Sequence, residues 1–387
     1  MSPKKEILWG KGYILLMVAN FFSWLSYNMI SPILTGYMEL LGASISLCGI
    51  IGGLFAFTSC FCRPLSGYLS DTCNRKTLLS LFTLLMAAAL LIYSVIPSIP
   101  LILIFRGIHG IAFGISSTAG LVLVSECTPE SRMGEAVSYY GVMSVATMAI
   151  GPSMGIWLSE HLGYQACMLI STASLFLAFG ATVLFPYKRP QTEQTEKPKL
   201  SLESLIEPKL IGLTCVNASF TMLNGVVSAF LVVFAAEYAI TGVSWHFTVN
   251  AIVLIFSRIA MAKLVNRWSL AQNLYPAYVC GVVSLAMIGG ARTLPILVLA
   301  GAVKAFASGM SQPALQTEAL RMVPPHRRGV ACSTMYIGGD LGQALGPMIG
   351  GAIAERTGYG NMFYCCILPL AATFVYFVLR ERKLRKN

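Results

Sequence analysis

The chain has 387 residues, 56% of them hydrophobic and only 11% charged, with a formal net charge of +11. An ordinary soluble domain carries about a quarter charged residues, so this composition excludes one. Twelve apolar stretches follow one another along the chain, each long enough to cross a bilayer as a helix. They lie at approximately 12–34, 45–68, 77–96, 101–124, 135–158, 164–186, 210–236, 244–265, 273–291, 294–320, 330–353 and 361–380. The sequence therefore predicts an all-α polytopic membrane protein.

The basic charge reports topology rather than a polyanionic partner. Of 27 Lys and Arg residues, only Arg292 and Arg356 fall in loops on the side opposite the N-terminus. The others concentrate in the N-terminal tail (Lys4, Lys5, Lys11), in the tail RERKLRK and in loops on that same side. This asymmetry is the positive-inside signal. It predicts a multi-pass protein of the plasma membrane with both termini in the cytoplasm and no nucleic-acid partner. The first stretch has no small-residue cleavage site behind it and is expected to stay uncleaved. Eleven cysteines form no CxxC pair or other metal spacing, so a thiol packing as a small apolar group is expected, with no metal and no cofactor. No nucleophile–base set or phosphate loop suggests an enzyme.

The chain repeats itself at an offset of 195. Laying 132–164 over 327–359 without a gap gives eleven identities in 33 positions. They include Arg132/Arg327, Gly134/Gly329, Gly151/Gly346, Pro152/Pro347, Gly155/Gly350, Glu160/Glu355 and Gly163/Gly358. Two apolar helices alike by chance would match alanines and leucines, whereas these matches fall on glycine, proline, arginine and glutamate. The same offset pairs Arg63 with Arg258 and Gly114 with Gly309. Two bundles of six helices follow, over 1–186 and 210–387. Between them, 187–209 is polar, carries both signs of charge and holds three prolines, and reads as a cytoplasmic linker. Six spans per half is an even number, so both halves enter the membrane from the same side. Parallel repeats with a solute site between them are the architecture of alternating-access carriers.

Between the second and third spans the chain reads RPLSGYLSDTCNRK, 63–76. This resembles the loop signature of the major facilitator superfamily, G-x-L-a-D-r-x-G-r-k, matched by Gly67, Leu69, Asp71, Arg75 and Lys76. Asn74 stands where the second glycine is expected, and as a residue tolerant of left-handed backbone it is expected to keep the turn. The resemblance implies that Asp71 sits against the positive N-terminus of the eleventh helix and latches the cytoplasmic side closed. It also implies Glu126 as a partner of Arg75, the alternative being a solvated end charge. In the second half, Ala262, Leu264 and Asn266 occupy the Gly, Leu and Asp places, so a single full latch is expected.

RGIHGIAFG, 106–114, resembles the superfamily's R-x-x-Q-G signature with His109 in place of Gln. The resemblance implies that Arg106 joins a network tied to proton coupling. The alternative is a structural arginine reaching up to the interface, about two turns from Pro100. His109 is either a titrating group or a hydrogen-bonding substitute. In the fifth span Gly141, Gly151, Pro152 and Gly155 resemble the signature of the superfamily's exporter branches, although Ile156 replaces a further glycine. The eleventh span repeats the pattern with Gly338, Gly342, Gly346, Pro347 and Gly350. Glycines four apart share one helix face and let backbones approach, while an interior proline removes one hydrogen bond and bends the axis. A glycine-faced helix from each half suggests a seam on which the halves rock.

Two more ionisable groups lie at membrane depth. Asp340 is about 15 Å into the eleventh span at 1.5 Å per residue, and Lys304 is equally deep in the tenth, at the repeat position of His109. Intramembrane charges mark solute or ion pathways by default. Either Asp340 pairs permanently with Lys304, or it faces a cavity and binds and releases a proton. GGDLGQALGP also resembles the eleventh helix of carriers described as arabinose-efflux-permease-like. Asn20, Tyr27 and Asn28 in the first span, with Asn217 and Asn224 in the seventh, add polar groups to helices that line the cavity in this fold. The resemblance as a whole implies a monomeric, proton-coupled antiporter that exports a small organic solute, a drug or a metabolite. Uptake by symport or facilitated diffusion is the first alternative, and a transport-dead sensor the second. With Arg106 and Lys304 against Asp340, an anionic or zwitterionic solute is as well accommodated as a cationic drug.

Overall fold

With few charges and no alternation of polar and apolar residues, each long apolar stretch satisfies its backbone groups internally by forming a helix, as a bilayer requires. The computed structural model describes residues 8–43, 45–187, 205–264 and 266–384, and among these there is no strand. The expected linker lies for residues 188–204 outside the described residues, as do Lys4, Lys5 and, in the basic tail, Arg385 and Lys386. Ten helical segments are long and apolar enough to span a membrane. Two more long helices, Ile45–Thr72 and Arg328–Thr357, complete the twelve. These two carry buried or half-buried charge and much glycine, which lowers their hydropathy.

The chain forms two compact units, Met1–Glu207 with Val323–Ser333, and Pro208–Met322 with Thr334–Asn387. In the first unit run α1 (Lys11–Ile30), a short α2 (Leu34–Leu40), α3 (Ile45–Thr72), α4 (Arg75–Val95), α5 (Ile99–Cys127), α6 (Met133–Leu162) and α7 (Tyr164–Leu184). The second unit contains α8 (Ile211–Glu237), α9 (Ser244–Leu264), α10 (Leu270–Gly290), α11 (Leu294–Arg321), most of α12 (Arg328–Thr357), α13 (Tyr359–Cys365) and α14 (Ile367–Leu384).

Helix limits follow local chemistry. The first span ends at Ile30, short of the expected residue 34, because Pro32 cannot donate to the helix. The twelfth is broken between α13 and α14, where Pro369 has no N–H for the carbonyl of Cys365. Asn74 departs from expectation: at φ −71° and ψ 115° its backbone is extended, not left-handed. It serves instead as the N-cap of α4, its side chain accepting from the Thr77 N–H at 3.1 Å.

The repeat persists at the level of single contacts. Arg63 donates to Ser117 Oγ at 2.8 Å, and at the same offset Arg258 donates to Gln312 Oε1. A methyl on Gly114 would meet Cys62 and Ser59, and one on Gly309 would meet Ser257 and Leu254. Gly163 and Gly358 open α7 and α13 at φ 86° and 82°, a conformation few residues other than glycine adopt.

Candidate functional site

The stretch 63–76 builds a polar cluster at one end of the first unit. Asp71, in the last turn of α3, accepts from the consecutive backbone N–H groups of Gly329 at 2.7 Å and Val330 at 2.9 Å. These donors lie at the start of α12, where a carboxylate is favoured by the helix dipole. Two glycines make the approach possible. A methyl on Gly67 would lie 2.9 Å from Val330 Cα, and one on Gly329 would lie 2.6 Å from Gly67 O. Arg75 bridges Asp71 at 3.5 Å and Glu126 at 2.5 Å. Lys76 turns away and donates to Val183 O at 2.9 Å. In the second unit, at the eroded copy, Arg321 donates to Asn266 Oδ1 at 3.1 Å.

The sequence reading missed four members of this cluster. Tyr187 donates to Glu126 Oε2 at 2.9 Å, and burial together with Glu126 pushes its phenol up to about 12. Arg328 donates to Ser125 O at 3.3 Å, and Arg327 pairs with the buried Glu207 at 2.8 Å. Gly329 and Arg327 are among the repeat identities, which was the available signal; Tyr187 and Glu207 gave none.

Deeper in the first unit, Arg106 is 1% exposed. It does not reach up to the interface; it turns inward, 4.7 Å from the Phe55 ring centroid and 5.8 Å from that of Tyr27. Ring faces attract a buried cation. Its Nε and Nη1 have no hydrogen-bond partner among the described residues. His109, fully buried one turn away, has Nδ1 3.3 Å from Tyr93 Oη and stands edge-on to Phe55. Its Nε2 is likewise unpartnered.

In the second unit Lys304 is 6% exposed on α11 and donates to Asn224 Oδ1 at 2.9 Å. Asn224 Nδ2 donates in turn to Ser308 Oγ at 3.2 Å. The ion pair with Asp340 is thus not what holds the ammonium; Asp340 sits half-buried on α12. His246 on α9, absent from the sequence expectations, is fully buried beside the α11 backbone, its Nδ1 2.6 Å from Leu297 O.

The remaining asparagines act between helices. Asn20 donates to Tyr140 O at 2.9 Å and Asn28 to Thr147 Oγ1 at 3.2 Å, tying α1 to α6. Asn217 donates to Met335 O at 2.9 Å, tying α8 to α12. The glycine faces lie along the same contacts. A methyl on Gly151 would stand 2.5 Å from Asn28 Cβ, and one on Gly155 would overlap Met29 O. On α12, Gly338, Gly342 and Gly346 meet Thr214, Ala218 and Met222, each a turn apart on α8, and Gly350 meets Val226 at 3.5 Å. Each glycine series therefore packs on the first helix of its own half. Pro152 and Pro347 lie inside uninterrupted helices.

Comparison with known proteins agrees with this architecture. The model of the Major Facilitator Superfamily matches residues 16–292 and 210–387. The staphylopine export protein of Staphylococcus aureus is 23% identical over 361 residues, covering 88% of this chain and 89% of that protein. The multidrug resistance protein MdtG of Enterobacter lignolyticus is 23% identical over 399 residues, covering 99% of this chain and 95% of that one. Among solved structures, the human organic anion transporter MFSD10 (TETRAN) has a TM-score of 0.81 at 17% identity, covering 94% of this chain and 98% of its own. The transporter FucP, in the outward conformation, has a TM-score of 0.79 at 16% identity, covering 95% and 98%. At such identities the structures establish the fold alone.

Proposed function

The chain belongs to the Major Facilitator Superfamily, and we propose that within it this protein is a proton-coupled antiporter exporting a small organic solute by alternating access. That it is a multi-pass membrane transporter and not an enzyme follows from the family and its apolar helices. Export is the finer reading, and one observation carries it: a relative named for export aligns over 88% of this chain, beside one named for multidrug resistance over 99%. By the same proposal the protein lies in the plasma membrane as a monomer, with both termini in the cytoplasm as its charge asymmetry predicts.

The roles follow from position and chemistry. Asp71, held on the N-terminus of α12 and steadied by Arg75 and Glu126, is the latch of the cytoplasmic-closed state. Asp340 is the proton carrier, because a half-buried carboxylate at mid-helix in a membrane span is open to hydration and marks an ion pathway. His109, sealed and held by Tyr93, supports Arg106 instead. Asn20, Asn28 and Asn217 with the two glycine series keep each bundle rigid while it rocks. Everted membrane vesicles with an acidified lumen test the reading. An exporter exchanging outward solute for inward protons accumulates solute in the lumen, whereas a symporter discharges it.

A further inference from the structure

The second unit keeps a buried cation, Lys304, whose charge no carboxylate among the described residues takes up. An ammonium has three N–H donors, and that of Lys304 makes one hydrogen bond, to the neutral Asn224. Among the described residues no carboxylate is in ion-pair contact with it and no ring face covers it. Arg106 differs, since Phe55 and Tyr27 lie against its guanidinium. Removing a charge from water without a partner is costly, and the cost is recovered when an anion arrives. The surroundings suit one. Ser308 is buried, and its hydroxyl lies within 3.4 Å of the Asn224 amide, whose oxygen takes the ammonium at 2.9 Å. Asn224 is half-buried and gives the group an approach from outside the packed helices.

We propose that Lys304, Asn224 and Ser308 form the receptor for an oxyanion group, a carboxylate, sulfonate or phosphate, on the transported solute. The solute class is then an organic anion. Transport of that anion outward rests on the export reading above, whereas its binding does not.

Thermal stabilisation of the purified full-length protein tests the receptor with three probes on one scaffold: naphthalenesulfonate, neutral naphthalenesulfonamide and naphthylmethyl-trimethylammonium. The sulfonate alone stabilises the native protein. In Lys304→Gln its apparent affinity falls by roughly tenfold or more, as expected for losing a buried charged partner, while Lys304→Arg retains most of it. Without ligand, Lys304→Gln unfolds at a higher temperature than the native protein, because an uncompensated charge is gone. Asn224→Asp gives an independent reading if the glutamine variant does not fold. A carboxylate in contact with the ammonium occupies the receptor from within, raising the unfolding temperature and abolishing the sulfonate effect. Equal stabilisation of native protein and Lys304→Gln, undiminished stabilisation of Asn224→Asp, no sulfonate stabilisation, or a response to the cation as large as to the sulfonate overturns the proposal. Sulfonate that binds through Lys304 without entering an acid-lumen vesicle refutes export but leaves the receptor. Trimethylammonium that is driven in while sulfonate fails to bind does the reverse.

Discussion

The Asp71 carboxylate takes both of its oxygens to neighbouring backbone donors, Oδ1 to the Gly329 N–H and Oδ2 to the Val330 N–H. A charge at a helix N-terminus contributes ~0.3–1 kcal/mol, and up to about 2 when partly buried. Asp71→Asn removes that charge and substitutes a donor for one acceptor, so the α12 N-terminus loosens. Cys332, 3% exposed just beyond these donors, reports it. Maleimide labelling of Cys332, followed by mass spectrometry, is expected to accelerate severalfold in Asp71→Asn. Unchanged labelling would show that the carboxylate does not hold this end of the helix.

Helix packing by glycine makes a contrast within one unit. Gly155→Ala puts a methyl into the Met29 carbonyl oxygen, backbone that cannot swing aside. Overpacking of this kind costs typically ~1–3 kcal/mol, so the unfolding temperature falls. Gly180→Ala, on α7 with nothing within 4 Å of the added methyl, is expected to be neutral or to gain about 0.4–1 kcal/mol. Thermal unfolding of both variants in the same detergent checks the order; Gly155→Ala as stable as Gly180→Ala contradicts it.

The repeated arginines predict an asymmetry. Arg258 is 7% exposed and relies on Gln312, whereas Arg63 donates to Gly114 O at 3.3 Å as well as to Ser117. Gln312→Ala strips a buried charge of an acceptor worth ~1.5–3 kcal/mol. Ser117→Ala leaves Arg63 its carbonyl. The unfolding temperature is therefore expected to drop further for Gln312→Ala, and the opposite order would contradict the reliance of Arg258 on Gln312.

Helices were legible because apolar length alone makes them: 45–68 was expected and Ile45–Thr72 is found, the extra turn carrying Asp71. The duplication was legible because glycine and proline matches survive where apolar letters drift, and Arg63–Ser117 with Arg258–Gln312 is the same contact twice. Partners were not legible where one side is a backbone carbonyl. Asn20 binds the oxygen of Tyr140 and Asn217 that of Met335, and a carbonyl has no letter. The orientation of Asn28 was hidden for a related reason, since Thr147 lies 119 residues away. Lys304 and Asp340 were found as charges at depth, but depth does not give direction, and Lys304 turned to Asn224. Tyr187 and Glu207 were read as linker, because polar letters beside a proline-rich run look alike whether packed or solvated.

The central claim is that outward solute movement is exchanged for protons through Asp340. The most direct measurement is accumulation of the three naphthalene probes in everted vesicles with an acidified lumen, for native protein and Asp340→Asn. Native protein is expected to concentrate at least one probe in the lumen and to lose it when the pH gradient is dissipated. Asp340→Asn is expected to exchange the same probe across the membrane but to ignore the gradient. Gradient-driven accumulation undiminished in Asp340→Asn, or discharge of probe from the acid lumen by the native protein, would contradict the account.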